Sequence, residues 1–491
     1  MSNLLLGIDI GTSSCKVAVF NLSGEVIASK TGTYPVYYPQ KGWAEQDVTH
    51  WWDAICTCTQ EMLKESDINP HDIKGIGVDG QSWACIPIDE DGNVLAKNPI
   101  WMDTRAAEQC EKYGRLIGED NIFNICGNPL KPTYTTPKIL WLKEHHPRVY
   151  QNTYQFLQSN SYIAYKLAGV PSQEKSQGYG LHFYNMQTGE YDTALAEQLG
   201  IDLHKFAPIF ECHNVIGTVT EKAAVQTGLA AGTPVVAGGL DAACGTLGTG
   251  VIDVGQVQEQ GGQAGGMSIC TASPIAHKQL ILSNHVVPGK WLLQGGTVGG
   301  GGVLRWFKDT FGKEGEGYDD LCTLAEESPA GSNGLVFLPY MAGERSPIWD
   351  ANAKGVFYGV SFGAQRADFV RAVLEGVAFS LRHNIDTAKE AGAKVETLYA
   401  MGGAANSLVW TQIKSDITGC DIAVASSDTA TTFGAAILAG VGVGLYKNFR
   451  EPIEHCVYIK RKHGPDTRKK EVYDQHYQLY LNISKNLKGL W

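Results

Sequence analysis

The sequence predicts an α/β protein in two halves, with mixed sheets covered by helices. Three observations carry this prediction. Strand, strand, strand, helix and strand follow one another within the first 80 residues. Short apolar strands ending in glycine turns recur in both halves. A glycine-rich stretch beginning near Val251 separates the two sets.

The elements follow in order. Leu4–Ile8 and Lys16–Phe20 are apolar runs, with Gly11–Ser14 turning between them. Leu22-Ser23-Gly24 makes a second turn, and Val26–Ser29 opens a third strand. Loops this short predict an antiparallel meander. Asp47 stands where a helix cap is needed, and Trp51, Trp52, Ile55, Cys58 and Met62 recur at helical spacing behind it. Ile73–Val78 is the next strand and ends in Asp79-Gly80-Gln81. Pro234–Ala237 is a short strand leading into Gly238-Gly239-Leu240-Asp241 and the small residues Ala242–Gly250. New strand signals then begin, which divides the chain into 1–250 and 251–491. In the second half, Leu398–Met401 ends in Gly402-Gly403. Ser407 caps a helix that runs through Thr418 and stops at Gly419. Asp421–Ala425 is a strand and Thr432–Leu438 a helix.

Composition narrows the function. With 43% hydrophobic and 19% charged residues, the 491-residue chain is globular and has room for two large cores. Forty Lys and Arg against 51 Asp and Glu leave a net charge of −11, which argues against nucleic acid or an anionic membrane as partner. A phosphate site built from backbone N–H groups needs no net positive charge. The 12 cysteines include no C-x-x-C pair and read as reduced thiols. The N-terminus lacks the basic start of a signal sequence. Phe433–Tyr446 is the longest apolar stretch; it carries four glycines and falls short of the ~20 residues of a membrane span. A soluble, cytoplasmic protein is expected.

Five clusters could carry chemistry. In Asp9-Ile10-Gly11-Thr12-Ser13-Ser14-Cys15-Lys16, a carboxylate ends a buried strand beside a glycine turn and hydroxyls. Burial of Asp9 requires something to neutralise it. The turn can hold phosphate oxygens while Asp9 holds Mg²⁺ through water. A hairpin with locally bonded Asp and Ser gives the same pattern. In Gly238-Gly239-Leu240-Asp241, a carboxylate among tiny residues at a strand end can take a proton from an attacking hydroxyl, or simply cap the following helix. Asp79-Gly80-Gln81-Ser82-Trp83 and Trp101-Met102-Asp103-Thr104-Arg105 set polar groups beside aromatic faces, which suits a sugar. A plain turn, or a helix cap with a surface charge pair, accounts for them equally. Gly402-Gly403-Ala404-Ala405-Asn406-Ser407 at a strand-to-helix junction fits a nucleotide on the backbone. Gly299–Gly302, before a helix, is a weaker cluster of the same kind.

Gly355-Val356-Phe357-Tyr358-Gly359-Val360, seven residues and then Asp368-Phe369-Val370-Arg371-Ala372-Val373-Leu374-Glu375 match a C-terminal family signature in full. Thr133–His145 matches the N-terminal signature except at Thr133. With these motifs the chain resembles the FGGY carbohydrate kinases of the actin/hexokinase/Hsp70 superfamily. Gly42–Asp47 with Trp51-Trp52, and Pro339-Tyr340-Met341-Ala342-Gly343-Glu344-Arg345-Ser346-Pro347, look most like the xylulokinase branch.

The resemblance implies two actin-like, ribonuclease H-like domains with a cleft between them, residues 1–250 holding sugar and 251–491 nucleotide. It implies Asp241 as catalytic base and Asp9 as the manager of Mg²⁺ and phosphate. Gln81, Ser82, Trp83, Asp79, Trp101, Asp103 and Asp241 would face the sugar. Gly11, Thr12, Ser13, Lys16, Gly261, Gly262 and Gln263 would serve the phosphates, and Gly402, Gly403 and Asn406 the adenosine. The expected partners are ATP and a small sugar, and a homodimer is compatible with the family. The expected reaction is ATP-dependent phosphorylation of a pentulose such as D-xylulose. The alternatives are ribulose, L-xylulose, erythrulose, a signalling sugar or a polyol, or a nucleotide-dependent binding protein without transfer. Two departures stand out. Ser82-Trp83 occupies the place of the branch's Met-His, and Gln263 falls where a Leu-Gly-Thr-Ser phosphate loop is usual.

Overall fold

The computed structural model describes residues 3–425 and 429–491. The predicted meander is present: β1 (Leu4–Ile10), β2 (Ser14–Asn21) and β3 (Val26–Thr33) pair antiparallel in sequence order. Helix α1 (Val48–Glu65) follows. Its cap is Asp47, whose carboxylate accepts the Thr49 N–H at 3.1 Å. The five residues at helical spacing are all buried, so the apolar stripe does face a core. Strand β4 (Ile73–Gly80) then pairs parallel to β1. Strands β5 (Val215–Thr218), β6 (Pro234–Val236) and β7 (Gly239–Leu240) complete a seven-stranded mixed sheet, with β6 and β7 both parallel to β4.

The second half builds the same plan. Strands β8 (Gln256–Gly261), β9 (Gly265–Thr271), β10 (Ile281–Asn284) and β11 (Trp291–Thr297) are antiparallel. Strands β12 (Thr397–Met401) and β13 (Asp421–Ala425) run parallel to β8, and β14 (Ile459–His463) closes the edge. Ser407 caps the helix Leu408–Thr418 as predicted, accepting the Trp410 N–H at 3.2 Å, and Gly419 ends it at φ 69°.

Two helices cross beneath the cleft. The small-residue segment forms α2 (Asp241–Gly248), and the longest apolar stretch lies mostly in α3 (Ala430–Gly442). Although α3 comes late in the chain, it packs on β1, β4 and α2 of the first sheet. Glycines make that approach possible. A Cβ at Gly7 or Gly77 would stand 2.0 or 1.9 Å from the carbonyl oxygens of Thr432 and Ala435. Gly248 and Gly434 play the same part between the helices, against Ala430 and Cys244. Glycine inside these strands is therefore a packing requirement. Among the described residues no helix is long and apolar enough to cross a membrane.

Candidate active site

Parallel strands deliver side chains to the same end of a sheet, and in open α/β sheets ligands gather at the strands' carboxyl ends. Here that end carries three carboxylates. Asp9 on β1 is in register with Asp79 on β4, Asp79 is in register with Gly239 on β7, and Asp241 follows β7 as the first residue of α2. Asp241 is not the helix cap, which is Leu240. Its Oδ1 accepts the Ala242 N–H at 2.6 Å. Its pKa is raised to about 7, by burial first and by the Asp9 charge second. Burial also raises Asp9, while a hydrogen bond from Asp79 and the charge of Lys16 pull it back. Asp79 is fully buried and neither oxygen meets a protein donor. Burial, then Asp9 and Asp241, push it well above the ordinary carboxylate range.

A cleft of about 400 Å³ opens over Asp9 and Asp241, between the two sheets; Asp79, expected to face the sugar, is fully buried and does not line it. Of the predicted site, Asp9, Gly11, Thr12, Ser82, Trp83, Trp101 and Asp241 line it. The Thr12 hydroxyl accepts the Trp101 Nε1–H at 2.9 Å, joining two predicted clusters. Trp83 adopts φ 61°, rare for a side chain this large, and its ring stacks on Tyr134 at 4.2 Å between centroids. The Tyr179 hydroxyl donates to Ser82 Oγ at 2.8 Å.

Other predicted residues lie behind or beside the cleft. Gln81 is buried and donates to Gln46 at 2.9 Å and the Gly11 carbonyl at 3.4 Å, so it ties loops together. The Gly11 N–H is spent on the Ser14 carbonyl at 3.0 Å, inside the hairpin. Ser13 and Lys16 do not line the cleft, although Lys16 is the cation that acts on Asp9. Gly261, Gly262 and Gln263 form the β8–β9 turn, flanked by the cleft residues Gln260 and Ala264. Carbonyls of that turn accept the N–H groups of Gly301 and Gly302 at 2.6 and 3.0 Å. Gly402, at φ 82°, abuts the same turn: a Cβ there would stand 3.0 Å from the Gly261 carbonyl. The predicted phosphate and adenosine segments are thus neighbours. Gly403 and Asn406 are exposed beyond them.

Asp103 requires correction. Its carboxylate is fully buried, accepts the Ala44 N–H at 2.7 Å and pairs with Arg105 at 2.7 Å. Arg105 also pairs with Glu45 at 2.9 Å and lies 3.7 Å over the Trp43 ring. All its capacity is used inside the fold, so Asp103 braces the Trp101 loop and offers the cleft nothing. The charge pair itself is buried, not on the surface.

Sequence reasoning missed Tyr179, Gln258, Gln294 and Arg345, which line the cleft, and Lys138, which builds it. Lys138 Nζ donates to the carbonyls of Trp83, Pro99 and Ile100 at 2.8, 3.1 and 2.9 Å, holding the loops of Trp83 and Trp101 together.

The donor set fits Mg²⁺. Orphaned oxygens on Asp79, and three carboxylates with Lys16 as the cation at hand, leave this corner short of positive charge. Among the described residues no three ligating side chains converge into a complete cage. That suits an ion which keeps its waters and takes its remaining ligands from phosphate.

A family model for the N-terminal domain of the FGGY family of carbohydrate kinases matches residues 4–248, and one for the C-terminal domain matches residues 268–443. The chain belongs to this family. The xylulose kinases of Staphylococcus epidermidis and Bacillus subtilis are 32% and 31% identical to it, over 100% and 99% of this chain and 98% and 97% of their own length. The crystal structure of xylulose kinase from Rhodospirillum rubrum superposes with a TM-score of 0.92 at 29% identity, covering 99% of both chains. The two sheets are the paired actin-like units of this carbohydrate kinase, and its chemistry is ATP-dependent phosphorylation of a sugar.

Proposed function

We propose that this carbohydrate kinase phosphorylates a pentulose, with D-xylulose the first candidate, and that Asp241 is its general base. The observation that carries the reading is Asp241 itself. It is a carboxylate at a strand end, open to the cleft, with a pKa raised to about 7 by burial and by Asp9. Such a base is ionised near neutral pH yet still proton-hungry. Full-length likeness to two bacterial xylulose kinases supports the sugar class.

In this reading Ser82, Trp83 and Trp101 of segment 1–250 orient the sugar, and segment 251–491 holds the nucleotide along the neighbouring turns at Gly261–Gln263 and Gly402-Gly403, with Asn406 near the adenosine. Gly11 and Thr12 lie along the phosphates. Asp241 takes the proton of a primary hydroxyl as its oxygen attacks the γ-phosphorus and ADP departs. Asp9, steadied by Asp79, would hold Mg²⁺, which supplies charge neutralisation to the phosphates when bound. The twelve cysteines are all unpaired, in keeping with a reducing cytoplasm.

The test is ATP consumption across a panel of ketoses and polyols. The D-xylulose reading predicts the highest kcat/KM for that sugar. Because only ionised Asp241 accepts a proton, kcat/KM should rise with pH through about 7 and then level. At pH 6 it should stand about tenfold below the plateau. A profile flat from pH 5.5 to 8.5 contradicts this role.

A second reading, another ketose or a polyol, rests on Trp83. Its ring forms part of the cleft wall where the xylulokinase branch has histidine. Trp83→His is expected to change the ranking of sugars by about tenfold, since contacts with one substrate group are worth about 1–3 kcal/mol. An unchanged ranking removes Trp83 from the specificity argument.

A further inference from the structure

Among its lining residues the cleft carries one cation, Arg345, that neither the sugar contacts nor the base uses. Arg345 follows Glu344 in the loop after Leu338, and its backbone is tightly held. Its N–H goes to Glu344 Oε1 at 2.7 Å, its carbonyl accepts the Trp349 N–H at 2.7 Å, and the next residue, Ser346, donates to the Gly296 carbonyl at 3.0 Å. The guanidinium then extends over Gly296, where a Cβ would come within 2.9 Å of its carbon. It reaches the Trp101 ring of the first half, 5.5 Å from the centroid. Arg345, Asp9 and Asp241 line the same cleft.

Among the described residues the guanidinium has neither a hydrogen-bond acceptor nor a carboxylate within ion-pair distance. Glu344 does not serve. Its Oε1 is occupied by the N–H groups of Val298 and Arg345, at 2.8 and 2.7 Å. Burial also raises its pKa to about 7, which weakens its charge. A half-buried, unpaired guanidinium facing a cleft is short of an anion. Its planar fork matches the oxygens of a phosphate, two at a time. A neutral sugar cannot discharge it, whereas the group in transfer is an anion that must pass between the nucleotide and Asp241.

We propose that Arg345 is a catalytic residue that clamps the transferring phosphoryl group within the cleft it shares with Asp241. The inference rests on the kinase reading above. In the step, the hydroxyl oxygen bonds to the γ-phosphorus, the bond to the bridging oxygen breaks with its electron pair going to ADP, and the hydroxyl proton goes to Asp241. Arg345 gives up no proton; its N–H groups hydrogen-bond to the phosphoryl oxygens as charge shifts.

The test compares the full-length protein with Arg345→Gln and Arg345→Lys. For Gln, kcat should fall about 10³-fold, the lower end of what an arginine on a transferring phosphoryl contributes, with the sugar KM within about threefold. Lys keeps the charge without the fork and should recover about tenfold of that loss. Both variants should melt at or near the parental temperature, since the guanidinium gives up no hydrogen bond or ion pair within the protein, only its place over Gly296 and beside the Trp101 ring. Calorimetry with inorganic phosphate gives a readout independent of turnover, and Arg345→Gln should bind it at least about tenfold more weakly. Equal phosphate affinity, or a normal kcat with a raised sugar KM, overturns the proposal; the latter makes Arg345 a sugar contact. A wild-type chain that consumes no ATP with any sugar defeats the functional reading instead, and the phosphate titration still decides Arg345.

Discussion

Asp241→Asn is expected to lower kcat by about 10²–10⁴-fold while leaving ATP affinity within about twofold. The substitution is nearly isosteric. Asn Oδ1 can still accept the Ala242 N–H, so the first turn of α2 keeps its bond. What disappears is the proton acceptor and one of three crowded negative charges. Asp241 contributes to the raised pKa of Asp79, and Asp9 to that of Asp241, so neutralising position 241 relaxes the cluster. The variant should therefore be at least as stable as the parent near pH 7 even as turnover collapses. Single-turnover phosphorylation and calorimetric ATP binding separate the two effects. Parental turnover would remove Asp241 from the chemistry. A collapse of ATP binding would make it a nucleotide contact and not a base.

The first sheet was legible because its signals are local. An apolar run, a glycine turn and a second apolar run predict a hairpin without reference to the rest of the chain, and β1 to β3 follow that pattern. Asp9 and Asp241 could be found for a related reason: a carboxylate beside glycines at the end of a short buried strand is unusual in sequence as well as in space. Arg345 and Tyr179 give no such signal. Each enters the cleft from a loop or short turn with no local motif: Tyr179 is set by its contacts with Ser82, Trp83 and Tyr134, and Arg345 joins the cleft only because the second half faces the first. Asp103 was misread for the opposite reason. An Asp beside Trp101 reads as a polar group for a sugar, or as half of a surface charge pair, and nothing local reveals that its partner Arg105 is packed against Trp43 and Trp141. The phosphate and adenosine turns were read separately, and only the fold shows Gly402 against Gly261.

Lys138→Met should be the most damaging substitution to stability in the cleft wall, lowering it by about 2–4 kcal/mol. Met fills similar space but donates nothing, and a buried carbonyl left without a donor costs about 1–3 kcal/mol. Of the three carbonyls, that of Ile100 keeps the Asp103 N–H at 3.0 Å, so the loss falls mainly on Trp83 and Pro99. The Trp83 carbonyl belongs to a residue already at φ 61°, so losing its anchor frees a strained backbone to relax. The indole then leaves its stack on Tyr134, and the sugar KM should rise about tenfold with a smaller change in ATP affinity. Linkage supplies a separate check. Burial pulls the Lys138 pKa down to about 7 in the folded chain, against an unfolded value near 10.4. Between these values the unfolded chain binds more protons, so stability attributable to Lys138 grows with pH across that window. Denaturation at pH 7 and pH 9 should therefore show the parent gaining on Lys138→Met at the higher pH. A variant that melts like the parent at both values, with an unchanged sugar KM, would show that the Trp83 and Trp101 loops hold their places without the ammonium between them.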